Sequence, residues 1–209
     1  MKNITLVRHG QSLGNVNANT YSTTPDWKIP LTNVGIEQAE IAGKYIARLN
    51  HSSSIDVYYS PMIRAAETYK IIRPYIASNI SLCKEEPLIS EQSFGMPHSY
   101  RHDFRNRDMM IARKKYGSFY FTPPDGESGL DVTMRVKQFI QELKVSSPDN
   151  NVLLITHGSF IKLFLKEILG WNIAEYESYI RPDNGKVIRL DNDNDNGHLQ
   201  LITPLKKYD

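Results

Sequence analysis

Two histidines and two arginines stand where strands of this chain should end. The apolar, β-branched run Ile4-Thr5-Leu6-Val7 stops on Arg8-His9-Gly10, and Val152-Leu153-Leu154-Ile155-Thr156 stops on His157-Gly158. Short apolar runs closed by a glycine turn read as buried strands. In a parallel sheet both ends fall on one edge, where ligands bind in open α/β folds. Arg64 follows a further strand that ends at Ser60, and is expected on the same edge. Two imidazoles and two guanidiniums gathered there make a cationic pocket suited to a phosphoryl group. The guanidinium fork matches phosphate oxygens and stays charged at any useful pH. The same charges stabilise a phosphoryl group in transfer and favour the neutral, nucleophilic form of a neighbouring imidazole. Glu91, after the strand expected within 80–89, is the carboxylate in a comparable position and the candidate acid/base.

Alternating strands and helices must position these groups. Residues 16–31, rich in Asn, Thr, Ser and Pro, read as a loop. Thr32 is a candidate N-cap for a helix that packs through Ile36, Ala39, Ala42, Tyr45 or Ile46, and Leu49. Ile55 to Ser60 is the second strand, and Pro61 suits the first turn of the next helix. After Pro123-Pro124-Asp125-Gly126, a firm turn signal, residues 127–144 read as a helix packing through Leu130, Met134, Phe139, Ile140 and Leu143. An apolar helix from Phe160 to Leu169 ends at Gly170, and strands near 186–190 and 198–203 close the chain. The pattern predicts a three-layer α/β/α sandwich with a mostly parallel sheet and one antiparallel edge. No repeat or linker divides residues 1–209, so a single domain is expected, with 96–126 as a candidate lid or specificity segment.

The bulk numbers narrow the classes. The chain has 209 residues, 40% hydrophobic and 23% charged, with a net charge of +2. That is ordinary for a globular domain, and neither nucleic acid nor membrane is expected as a partner. A single cysteine, Cys83, excludes an internal disulfide and a Cys-rich metal site, and is expected to be a packing residue. With no apolar signal region and no apolar run near 18 residues, a soluble cytoplasmic protein is expected.

Five motifs in order give a resemblance. They are Arg8-His9-Gly10-Gln11-Ser12…Asn15, Leu31-Thr32…Gly35…Gln38-Ala39, Ser60-Pro61…Arg64-Ala65…Thr68, Glu91…Phe94-Gly95 and Thr156-His157-Gly158. Together they resemble the histidine phosphatase superfamily, typified by cofactor-dependent phosphoglycerate mutases. The resemblance implies His9 as the nucleophile that becomes phosphohistidine. It implies Arg8, Arg64 and His157 as holders of the phosphoryl oxygens, with Asn15 and Gly158 as further phosphate-binding positions. Glu91 matches the acid/base, no metal or other cofactor is required, and the substrate is a small phosphorylated metabolite. A homodimer is a candidate assembly. Gln11 stands where mutases usually show Glu, and the chain is shorter than most of them. The segment from Glu91 through Gly95, Tyr116-Gly117…Phe121 and Pro124-Asp125-Gly126-Glu127…Arg135 looks like a mutase-like subgroup mostly described as phosphatases. A phosphomonoester phosphatase is therefore expected, with a phosphoglycerate mutase and a catalytically silent phosphate-binding scaffold as the alternatives.

Other candidates are weaker. His98 and His102 lie four apart without a third ligand, and read as solvated or substrate-facing. Arg101, Arg105, Arg107, Arg113, Lys114 and Lys115 read equally as a solvated face or as a lid over the pocket; a lid would favour substrates with a second anion. Asp191 to Gly197 lacks the glycine and glutamate positions of a calcium loop and reads as a polar hairpin.

Overall fold

The computed structural model describes residues 2–49, 54–95, 107–192 and 198–208. Its strands are β1 (Asn3–Arg8), β2 (Ile55–Tyr59), β3 (Ile80–Glu85), β4 (Asn151–Thr156), β5 (Val187–Asn192) and β6 (Leu199–Leu201). Its helices are α1 (Leu13–Val16), α2 (Thr20–Thr23), α3 (Asn33–Leu49), α4 (Ile63–Ile76), α5 (Arg107–Tyr116), α6 (Gly129–Ser146), α7 (Gly158–Leu169) and α8 (Ile173–Ser178).

The six strands form one sheet in the order β3-β2-β4-β1-β5-β6. The first four are mutually parallel, while β5 runs antiparallel to β1 and β6 to β5. Side chains alternate across the sheet. Ile4, Leu6, Val152 and Leu154 join Val136, Phe139, Phe160 and Phe164 of α6 and α7 in one core. Val7, Val57, Leu153 and Ile155 join Ala42, Ile46, Ala65 and Ile72 of α3 and α4 in the other. Burial on both faces explains why β1 and β4 read as continuous apolar runs rather than as alternating ones. The mixed α/β architecture is the one expected, with antiparallel pairing at the β5–β6 end.

Several local expectations change. Residues 16–31 carry α2 and a 3-10 turn at Asp26–Lys28 rather than a plain loop; polar side chains there bond neighbouring backbone, as Ser22 does to Asn19. Thr32 does cap α3, accepting from Gly35 N–H at 3.1 Å. Within α3, however, Ile36 and Tyr45 are exposed and Gly35 and Gly43 are buried. Pro61 lies outside α4, because Met62 keeps extended backbone (ψ 132°) and delays the first turn. In α6, Phe139, Ile140 and Leu143 are buried as expected, but Leu130 and Met134 face solvent while Val132 and Val136 are buried in the first half of the helix. Gly170 ends α7 in the left-handed conformation (φ 70°), as a helix-terminating glycine should. Cys83 is exposed on β3, not packed, because β3 is the sheet's edge; its thiol lies 2.9 Å from the Tyr69 hydroxyl. His98, Arg101, His102 and Arg105 lie outside the described residues, as do the side chain of Arg107 and residues 193–197 of the Asp-Asn run. Among the described residues no helix is long and apolar enough to cross a membrane.

Candidate active site

Register decides which side chains meet. Arg8 pairs with Thr156 across β1 and β4, so the residues after them leave the sheet level with each other. His9 N–H donates to Thr156 O at 2.9 Å, and the His9 and His157 rings stand 5.0 Å apart at 58°. Both histidines are buried. Just after β2, Ser60 N–H donates to Ile155 O, which brings Ser60 beside His157. The turn after His9 is pressed onto the start of α3: a Cβ on Gly10 would stand 2.2 Å from Gly35 O, and one on Gly35 2.1 Å from Gln11 O. Only two glycines allow that approach. Gly10 N–H donates to Thr68 Oγ1 (3.1 Å), and Thr68 donates to Arg64 O (2.7 Å). Thr32 Oγ1 donates to Gln11 Oε1 (2.9 Å), and Gln38 Oε1 accepts from Gln11 N–H (2.8 Å). The motif residues Gly35, Gln38 and Thr68 thus brace the His9 turn, and the Gln11 side chain is tied to α3.

The two rings are held by different nitrogens. His9 Nδ1 is 2.7 Å from Gly10 O, a carbonyl that only accepts, so Nδ1 carries the proton and Nε2 the lone pair. His157 Nε2 is 2.8 Å from Ser60 Oγ, and its buried Nδ1 has no partner. Burial holds both rings well below the ordinary imidazole range. The Arg64 and Arg8 charges push His9 the same way, against the Gly10 hydrogen bond; Arg64, His9 and Arg8 do so for His157. Both rings are therefore neutral at neutral pH.

The two arginines are anchored differently. Arg8 Nη1 donates to Pro182 O at 2.6 Å, while its buried Nε has no partner. Burial lowers the Arg8 pKa, with Glu91 opposing and Arg181 reinforcing the shift. Arg64, buried at the start of α4, forms an ion pair with Asp26 at 2.9 Å and donates to the Asp26 carbonyl at 2.7 Å. Asp26 was not singled out from the sequence, because the 3-10 turn that carries it was read as loop.

Glu91 reaches the site by another route. Its Oε1 accepts from the backbone N–H groups of Gln92 (3.0 Å), Ser159 (3.1 Å) and Phe160 (3.3 Å), and Oε2 takes only a 3.2 Å contact from Ser159 N–H. The carboxyl group thus sits on the N-terminus of α7, a favourable place for negative charge. Arg135 on α6 fixes the approach, donating to the carbonyls of Leu88, Ser90 and Glu91 and pairing with Glu127. Glu127 in turn accepts from Ser93 N–H (2.8 Å). This network accounts for Glu127 and Arg135 appearing together with Glu91 in the sequence.

Residues 179–185 return from the far end of the chain to close the pocket. Gly185 N–H donates to the carbonyls of Arg8 and His9. Asn184 Nδ2 lies 3.2 Å from His9 O and 3.1 Å from Asn15 Oδ1. Asn15 Oδ1 also accepts from Ser12 N–H (2.9 Å), so its oxygen is used in bracing the turn, and its side chain is joined to the site through Asn184. Gly158 begins α7 where a Cβ would stand 3.3 Å from Arg8 Nε and 3.4 Å from Arg181 Cδ. Asn184, Arg181 and Ser60's link to His157 escaped the sequence reading; the Asp183-Asn184-Gly185 turn signal was the one clue to the first.

Two neutral imidazoles on parallel strand ends, with a buried donor left over on Arg8 and an unpartnered ring nitrogen on His157, define a site for phosphoryl chemistry on an α/β sheet. The family model of the histidine phosphatase superfamily (branch 1) matches residues 4–203, and the chain belongs to that superfamily. It is 33% identical over 196 residues to the phosphoglycerate mutase-like protein AT74H of Arabidopsis thaliana, across 84% of this chain and 69% of the relative. It is 34% identical over 132 residues to the broad-range acid phosphatase DET1 of Saccharomyces cerevisiae, across 60% of this chain and 39% of that protein. The fold matches a mycobacterial glucosyl-3-phosphoglycerate phosphatase solved with VO3, at a TM-score of 0.77 and 21% identity, over 100% of this chain and 98% of the other.

Proposed function

We propose that the protein is a phosphomonoester phosphatase that works through a phosphohistidine on His9, with residues 1–209 as one domain. The observation that carries the reading is the His9 tautomer: Nδ1–H is spent on Gly10 O, so Nε2 offers its lone pair inside a pocket with an unused Arg8 donor and an unpartnered His157 Nδ1. In the first step Nε2 attacks phosphorus in line and the P–O ester bond breaks. Glu91 acts as the acid through its less engaged Oε2, passing a proton to the leaving alkoxide and becoming the carboxylate. In the second, the Glu91 carboxylate takes a proton from water as the water oxygen attacks phosphorus and the P–N bond breaks. Inorganic phosphate leaves and neutral His9 returns. Arg8, Arg64, the His157 Nδ1–H and the α7 start at Gly158 hold the phosphoryl oxygens, Asn15 supports them through Asn184, and the preorganised donors stabilise the charge in transfer.

The substrate is a small phosphorylated metabolite. Phosphate release from p-nitrophenyl phosphate, with His9→Ala as the blank and with chelator present, tests the reading. Turnover that needs His9 and survives chelation is expected; turnover retained by His9→Ala overturns it. Interconversion of phosphoglycerates with little free phosphate would make the enzyme a mutase, and phosphate binding without release a scaffold. Two further expectations belong to this proposal. A cytoplasmic location is supported by the single free Cys83 and tested by cell fractionation. A homodimer is supported by the β3 edge, with Leu82 exposed on it and Val145 exposed nearby on α6; a monomer in sedimentation velocity removes it.

A further inference from the structure

Beyond the phosphoryl pocket, a second cationic group lies beside Glu91. Arg113 from α5 and Arg181 from the 179–185 segment both stand over the ring of Phe94, their guanidinium carbons 5.3 Å and 5.5 Å from its centroid. Among the described residues neither has a hydrogen bond or ion pair. A third cation, Lys162 of α7, is buried nearby over Tyr176 and donates to Tyr179 O. The neighbouring carboxylate of Glu177 is committed elsewhere, to Ser118 Oγ and Phe119 N–H, both at 2.8 Å.

Gathering these cations is unfavourable. Burial first, and then the Arg181 charge, lower the Arg113 pKa against the pull of Tyr176, Glu177 and Glu91. Lys162 is pushed down to about 8 by burial, with Arg181 and Arg113 adding to the shift and Glu177 opposing it. The phenyl face offsets part of this cost, because its quadrupole attracts cations. The rest is repaid when an anion arrives and pairs with the guanidinium forks.

The place is informative. The Arg181 stem and Arg8 Nε both pack around Gly158, so this group adjoins the phosphoryl pocket. Glu91 acts electrostatically on both Arg8 and Arg113, so both groups stand within its reach. The leaving alcohol, protonated by Glu91 in the proposed reaction, is therefore within reach of the Arg113–Phe94–Arg181 group. We propose that Arg113 and Arg181, paired across Phe94, form a second anion subsite that selects phosphomonoesters whose alcohol part carries its own carboxylate or phosphate. This rests on the phosphatase reading for the direction in which the alcohol points.

Three esters of matched length test it: 3-hydroxypropyl phosphate, 3-phosphooxypropanoate and propane-1,3-diyl bisphosphate. The wild-type protein is expected to favour either or both doubly anionic esters by about tenfold in kcat/KM, the scale of one charge-assisted hydrogen bond. The better of the two names the second anion as carboxylate or phosphate. Arg113→Gln and Arg181→Gln should each collapse that preference toward one, chiefly through KM, more than they alter turnover of the hydroxypropyl ester. No preference in the wild type overturns the subsite. So does a preference that survives both substitutions, or an equal loss on all three esters, which is what a purely structural Arg-Phe-Arg stack would produce. If the wild type hydrolyses none of them, nor p-nitrophenyl phosphate, the phosphatase reading falls. The subsite is then judged by Kd from calorimetry on the same esters: tighter binding of a doubly anionic ester that both variants lose supports it, and equal affinities overturn it.

Discussion

The ends of β1 and β4 carry nearly the same residues and do different things. Each strand leaves the sheet through His-Gly, each histidine is buried, and each is held well below its ordinary pKa. They differ in the partner of the ring. A backbone carbonyl accepts the Nδ1–H hydrogen bond of His9 and leaves Nε2 with its lone pair; a serine just after β2 holds His157 by Nε2 and leaves Nδ1 unpaired. One ring is set to attack. The other can donate from Nδ1 in the tautomer whose Nε2 accepts a hydrogen bond from the Ser60 hydroxyl. The chemistry of an imidazole is chosen by what touches its second nitrogen.

The sharpest way to break this contrast is to remove each ring in turn. His9→Ala should lose about 10⁴-fold or more in kcat, as removal of a covalent nucleophile does. It should also fail to form the trapped phosphoenzyme seen by rapid quench. His157→Ala should lose about 10²–10³-fold, the scale of one transition-state donor, and still label. Labelling by the His9 variant would reverse the two roles.

The glycines after the two rings should differ next. Gly10→Ala drives a methyl group into the Gly35 carbonyl, so it should cost about 3 kcal/mol of stability in denaturant unfolding. Gly158→Ala meets arginine side chains that can give way, so it should cost under about 1 kcal/mol and show itself in KM. Similar stabilities for the two variants would show that the His9 turn is not pinned to α3.

Both rings bear on pH. Their folded pKa values lie below the ordinary 6.5, so below pH 6.5 the unfolded chain takes up protons that the folded chain refuses. Stability is complete above pH 6.5 and falls as pH drops below it, by at most about 1.4 kcal/mol per pH unit for each histidine. Melting curves from pH 7.5 to 5 should show this fall, and His157→Gln should make it shallower. A smaller loss of activity than for either ring is expected for Ser60→Ala, which frees His157 without removing it. About tenfold in kcat is the value of the lost hydrogen bond, with phosphoenzyme formation on His9 retained.

Much of the site was legible because the local signals were strong. An apolar run that ends in His-Gly identifies both a strand and its reactive end, and two such runs on parallel strands must share an edge. Gly10 and Gly35 stood in two separate motifs of the resemblance, and the approach of their backbones supplies the reason that both are glycine. Helix faces were less legible. The second half of the α6 stripe, Phe139, Ile140 and Leu143, was read correctly, but in the first half Leu130 and Met134 are apolar and face solvent, while Val132 and Val136 carry the core. Cys83 was misread for a similar reason: which strand lies at the edge is a property of strand order.

What the sequence determined by itself is the inventory: strand, turn and reactive residue at each sheet end, and the order of motifs that marks the superfamily. These depend on contacts a few residues apart. Tertiary structure alone decided the second partner of each imidazole, the engagement of Arg64 by Asp26, and the seating of Glu91 on α7. It also brought Arg181 and Asn184 to a site that begins at Arg8, more than 170 residues earlier. Hydrogen bonds and like charges act over a few ångströms of space whatever their separation along the chain, and that separation is what hid them from the sequence.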